Sequence, residues 1–124
     1  SAIDKFGQSE SEQRLYGEAL NYICKLQSEQ GFLSAAQWCE QFSSWAKQSG
    51  LALPKQQSDA LELLAYLKRQ SALPEQAKDL YLESIQLQRQ FFKIPDLSLA
   101  NSLQGLAAAY DQLHQFVLAE SALL

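Results

Sequence analysis

Thr and Met are absent from this sequence, Val occurs once and Ile four times. Strands draw on β-branched and aromatic side chains, so a sheet-rich fold is excluded. Basic residues are scarce as well: ten Lys and Arg face fourteen Asp and Glu, the net charge is −4, and Lys68-Arg69 is the one adjacent pair of cations. Nucleic-acid binding needs clustered cations to displace counterions from phosphate, and the sequence has no such cluster. No apolar run exceeds five residues, far short of the roughly 20 that a membrane-spanning helix requires. The chain starts Ser1-Ala2 without a Met and without a leader pattern. We therefore expect a piece of a longer, cytoplasmic protein, with residues 1–8 a disordered terminus or tag remnant.

One His and two Cys make up the whole stock of soft metal ligands. Zinc sites take four ligands at short paired spacings, so no metal is expected. Cys24 and Cys39 stand 15 residues apart, and the expectation is two buried thiols acting as small apolar groups rather than a disulfide. Catalysis finds equally little support. General acid–base work wants His or a carboxylate in a pocket, whereas His114 falls at an expected exposed turn. No phosphate-cradling glycine loop, Gly-x-Ser-x-Gly or Cys–His arrangement occurs. The chain reads as a non-enzyme without cofactors.

What is abundant is helix-forming stock: 22 Leu, 16 Ala and 17 Gln. Gly31, Gly50, Pro54, Pro74 and Pro95 divide it, and between them apolar residues recur at helical spacing. Leu15, Ala19, Tyr22, Ile23 and Leu26 predict the buried face of a first helix, and Trp38, Phe42, Trp45 and Ala46 that of a second. Leu61, Leu64, Ala65 and Leu67 mark a third after Pro54. Ala77, Tyr81, Ser84, Ile85, Gln88 and Phe92 mark a long fourth opened by Pro74, a residue suited to a helix's first turn. Asp96 caps a fifth with Leu99, Leu103, Leu106, Ala107 and Tyr110 inward. A sixth is expected from about Gln115, with Phe116, Ala119 and Leu123 inward.

These six segments superimpose at a step of 42 residues: Ala35, Ala77 and Ala119 coincide, as do Ala19, Leu61 and Leu103, and Tyr22, Leu64 and Leu106. The stretch from Leu103 through Tyr110 and Phe116 to Ala119 resembles the tetratricopeptide repeat. The run from Ala77 through Tyr81 and Ile85, with Pro95-Asp96 and Ala100-Asn-Ser-Leu103 after it, is similar to the 42-residue variant of that repeat found in kinesin light chains. The resemblance implies an all-α fold, a right-handed α-solenoid of about three antiparallel hairpins over residues 9–50, 54–93 and 96–124, forming one domain. It also implies a concave groove lined by the first helix of each hairpin, holding a peptide or helical segment of a protein partner.

Positions carried over from the resemblance place Gly17, Leu20, Cys24, Gln27 and Ser28 of the first hairpin in that groove. Asp59, Glu62, Tyr66, Arg69 and Gln70 follow from the second, and Asn101, Gln104, Ala108, Asp111 and Gln112 from the third. Tyr66, flanked by Arg69, is the expected anchor. The chaperone-tail-binding subtype needs Lys, Asn and Arg where this chain has Leu20, Cys24, Tyr66 and Ala108, so that partner class is not expected. The second expectation is a structural domain that self-associates through the ends of the solenoid, the C-terminal helix in particular.

Overall fold

The computed structural model describes residues 9–31, 34–93 and 96–123, so the expected disordered segment 1–8 lies outside the described residues. Five helices follow in chain order: α1 (Glu10–Glu29), α2 (Ala35–Ser49), α3 (Pro54–Gln70), α4 (Pro74–Phe91) and α5 (Leu97–Leu123). Their ends obey local chemistry. Ser9 Oγ accepts from the Glu12 N–H at 3.2 Å, and Glu10 and Glu12 put negative charge at the α1 N-terminus. Pro54 and Pro74 occupy first-turn positions, where a missing N–H costs nothing. Gly50 closes α2 in the left-handed region at φ 67°. Asp96 Oδ1 accepts from the N–H of Ser98 at 2.9 Å and opens α5.

The helices stack in order. Each packs on the next, and α1 with α3 and α3 with α5 also touch, whereas among the described residues α5 meets neither α1 nor α2. One layer thus holds α1, α3 and α5, the other α2 and α4. Two apolar clusters fill the stack. The first joins Leu20 and Cys24 of α1, Phe42 and Trp45 of α2 and Leu64 of α3. The second joins Ala65, Ala77, Tyr81 and Ala109 from α3, α4 and α5.

Four sequence expectations are corrected. The turn expected near His114 is absent: the fifth and sixth segments are one continuous helix of 27 residues, so the third hairpin is not formed. His114 is exposed on that helix. Cys24 and Cys39 are not free thiols but a fully buried disulfide that ties α1 to α2. On α1 the buried face is Gln13, Gly17, Leu20, Asn21 and Cys24, and the stripe expected inside is turned outward, with Leu15 70% and Tyr22 65% exposed. On α5 the residues packed inward are Ser102, Gly105 and Ala109, while Leu103, Ala107 and Tyr110 are exposed.

Both reversals have the same steric cause. The Trp45 ring fills the space where a Cβ on Gly17 would sit, and the Tyr81 ring does the same at Gly105. A ring seated against bare backbone fixes which face of the neighbouring helix turns inward. Polar partners complete each fit: Trp45 Nε1 donates to buried Gln13 Oε1 at 2.9 Å, and next to Tyr81 the buried Ser84 and Gln88 meet Ser102.

Candidate functional site

α3 is the middle helix of its layer and carries the best-organised polar face. At its start, Lys55 pairs with Asp59 at 3.2 Å and donates to Ser98 Oγ of α5 at 2.6 Å, while Gln56 Nε2 reaches Glu18 Oε1 of α1 at 3.2 Å. One turn on, Ser102 Oγ donates to Glu62 Oε2 at 3.1 Å. That hydroxyl also accepts from Gln88 Nε2 at 3.1 Å, and Ser84 Oγ donates to the Ser58 carbonyl at 3.0 Å, so α3, α4 and α5 share one buried polar network. Burial pushes the Glu62 carboxyl above its ordinary value; the Ser102 hydrogen bond and Lys55 oppose this, and Asp59 and Asp96 add to it.

Further along, the Arg69 guanidinium lies over the exposed Tyr66 ring at 5.4 Å from its centroid, a cation–π contact. Gln112 Nε2 of α5 donates to the Arg69 carbonyl at 3.3 Å. Behind them the Tyr81 hydroxyl is held above its ordinary pKa by burial, with the Arg69 hydrogen bond pulling the other way. Arg69 Nε and Gln112 Oε1 are buried and have no hydrogen-bond partner among the described residues. The face therefore presents an aromatic ring, a guanidinium held on it, and amide and carboxylate groups on either side.

Of the expected groove residues, the structure brings Glu62, Tyr66 and Arg69 together with Gln112, and sets Asp59 at one end beside Lys55. Gln70, Asn101 and Gln104 are exposed, and Asp111 is exposed and accepts from Gln115 Nε2 at 3.2 Å. Ala108 is half-buried. Gly17, Leu20 and Cys24 are buried between helices and line no groove. Ser28 Oγ donates to the Cys24 carbonyl at 2.8 Å, and Gln27 Oε1 accepts from Ser34 Oγ at 2.6 Å, so both are engaged locally.

A feature that the sequence did not signal lies on the other layer. A cleft of ≈ 430 Å³ between α2, α3 and α4 has Leu61, Leu64 and Leu80 in its lining. Lys68–Glu40 at 2.9 Å and Lys47–Glu83 at 3.0 Å are ion pairs at the same three helices. Helical spacing within one segment does not reveal such a cleft, because it depends on how three helices meet.

Among the described residues no group of His, Cys, Asp and Glu is arranged to hold a metal, and no helix is long and apolar enough to cross a membrane. Compared with family models, curated proteins and solved structures, the chain has no match.

Proposed function

We propose that this chain is a protein-interaction module that holds a peptide or helical segment of a partner on the face formed by α1, α3 and α5. The observation that carries the reading is the Tyr66–Arg69 pair: an aromatic ring left exposed near the end of the middle helix and held by a cation that is itself anchored from behind. Exposed Tyr with Arg is the side-chain chemistry enriched at energetic centres of interfaces. Asn101 and Gln104 on α5 and Gln70 on α3 supply hydrogen bonds to a peptide backbone.

A tetratricopeptide-like, right-handed solenoid is the finer architecture we infer. It is supported by the order of contacts, each helix on the next with α1 also on α3 and α3 on α5, and by the 42-residue step from α2 to α4, on which buried Ala35, Cys39, Phe42 and Ala46 coincide with buried Ala77, Tyr81, Ser84 and Gln88. The continuous α5 departs from it. We read the chain as a non-enzyme. For its location, the buried Cys24–Cys39 disulfide supports an oxidising compartment over the cytoplasm expected from composition, because cytosolic thiols are kept reduced.

The test uses a peptide selected from a random library for binding to the chain. Tyr66→Ala should weaken it at least about tenfold, a loss of about 1.4 kcal/mol, without changing helicity or melting temperature. Unchanged affinity would remove the reading. A second reading, structural association through the ends of the stack, is favoured by the apolar residues left exposed on α1 (Leu15, Tyr22) and on α5 (Leu103, Tyr110, Val117).

A further inference from the structure

We infer that the cleft between α2, α3 and α4 is a binding site for a small uncharged ligand, a largely apolar molecule with one hydroxyl or carbonyl group. The site is separate from the face centred on Tyr66 and goes beyond the peptide-binding reading. It exists because α2 and α4 both pack on α3 but, among the described residues, not on each other. Leu61 and Leu64 of α3 and Leu80 of α4 give the gap an apolar lining, and the Lys47–Glu83 ion pair at 3.0 Å spans the two outer helices.

The observation that points to a ligand is Ser43. It lines the cleft and is 7% exposed, and its Oγ has no hydrogen-bond partner among the described residues. The other buried serines are satisfied: Ser58 Oγ donates to the Lys55 carbonyl at 3.1 Å, Ser84 Oγ to the Ser58 carbonyl and Ser102 Oγ to Glu62. A hydroxyl taken from water without a partner is costly, and native structures leave few such groups. A helical serine has an acceptor within reach in the carbonyl four residues back, which Ser28 uses on Cys24. Ser43 does not use it, and its hydroxyl is left for a group that enters the cleft.

Charge and size set the class of that group. Each charged residue of the lining already has an opposite partner: Lys68 pairs with Glu40 at 2.9 Å, Lys47 with Glu83, and Asp79 with Lys78 at 3.5 Å. A charged ligand would have to break one of these pairs or lie uncompensated beside the leucines, so an uncharged one is favoured. Three leucines and one unpaired hydroxyl call for an apolar body with a single hydrogen-bonding group, the usual make-up of a small-molecule site. A cavity of roughly 150 Å³ takes a benzene. The cleft, at ≈ 430 Å³, has room for two fused rings.

Amide chemical-shift titration of the full chain tests this with naphthol, which is uncharged at neutral pH, against its anionic and cationic counterparts, naphthoate and naphthylmethylammonium. The expected result is saturable shifts at Ser43, Leu61, Leu64 and Leu80 with naphthol, and at least tenfold weaker binding of both ions. Ser43→Ala, which removes only the hydroxyl, should weaken naphthol about fivefold. Ser44→Phe, at an exposed α2 position on the lining, should fill the cleft and abolish binding with helicity kept. Either ion binding as tightly as naphthol overturns the uncharged class. Unchanged affinity in Ser43→Ala, shifts confined to another part of the molecule, or no saturable shifts overturn the site.

Discussion

Ala72 shows at single-residue resolution how this chain departs from the easiest solution. The turn between α3 and α4 is a Schellman closure: the Leu73 N–H reaches the Lys68 carbonyl at 2.9 Å and the Ala72 N–H reaches Arg69 at 3.2 Å. That closure places Ala72 at φ 60°, in the left-handed region where a Cβ is strained. Ala72→Gly should therefore raise the unfolding free energy by about 1 kcal/mol, read from the shift of a urea denaturation midpoint. Glu62 bears a different kind of cost. Because burial raises its pKa, the folded protein keeps the proton to higher pH than the unfolded chain. Its contribution to stability is full below the ordinary carboxylate value and is lost as pH rises through the folded one. Glu62→Gln cannot ionise and still accepts from Ser102. It should be more stable than the parent chain at pH 7, with the gap closing as the pH falls toward about 4. Melting curves across that interval show whether the gap closes.

Among the elements, α3 and α4 were the most legible in the sequence, because Pro54 and Pro74 start them and their buried residues include the ones expected: Leu61, Leu64 and Ala65, then Ala77, Tyr81, Ser84, Ile85 and Gln88. α1 and α5 were legible as helices but not in their orientation. A stripe of large apolar residues gives the direction of burial only when nothing competes. Here the rings of Trp45 and Tyr81 demand bare backbone, and the faces with Gly17 and Gly105 win although they also carry Gln13 and Ser102. The end of the fifth segment was misplaced for another reason. No Gly or Pro follows Gly105 in the sequence, so nothing local forces a turn at His114. The continuous helix makes a direct prediction: His114→Pro should abolish the helical secondary chemical shifts of the residues just before it, since proline inside a helix costs about 3 kcal/mol. Proline would be accepted with little change if a turn stood there.

At the scale of the whole molecule, the packing is sequential and the stack stays open, with α5 touching neither α1 nor α2 among the described residues. An open stack has two faces and two ends. Its interior is pinned by the Cys24–Cys39 disulfide near one end and by the Ser84–Gln88–Ser102 network near the other. The candidate site was legible only in part. Glu62, Tyr66 and Arg69 follow one another along α3, the middle helix of its layer, with Tyr66 exposed and Arg69 over its ring. The corresponding positions on α1 became interior, since the face of α1 was set by Trp45. The central claim, that a partner segment lies on the layer of α1, α3 and α5 around Tyr66, is tested most directly by amide chemical-shift mapping. The chain would be titrated with a peptide selected for binding to it. The largest changes should cluster at Tyr66, Arg69 and Gln70 of α3 and at Asn101 and Gln104 of α5. Changes confined to the cleft between α2, α3 and α4, or to the outer edges of α1 and α5, would contradict it.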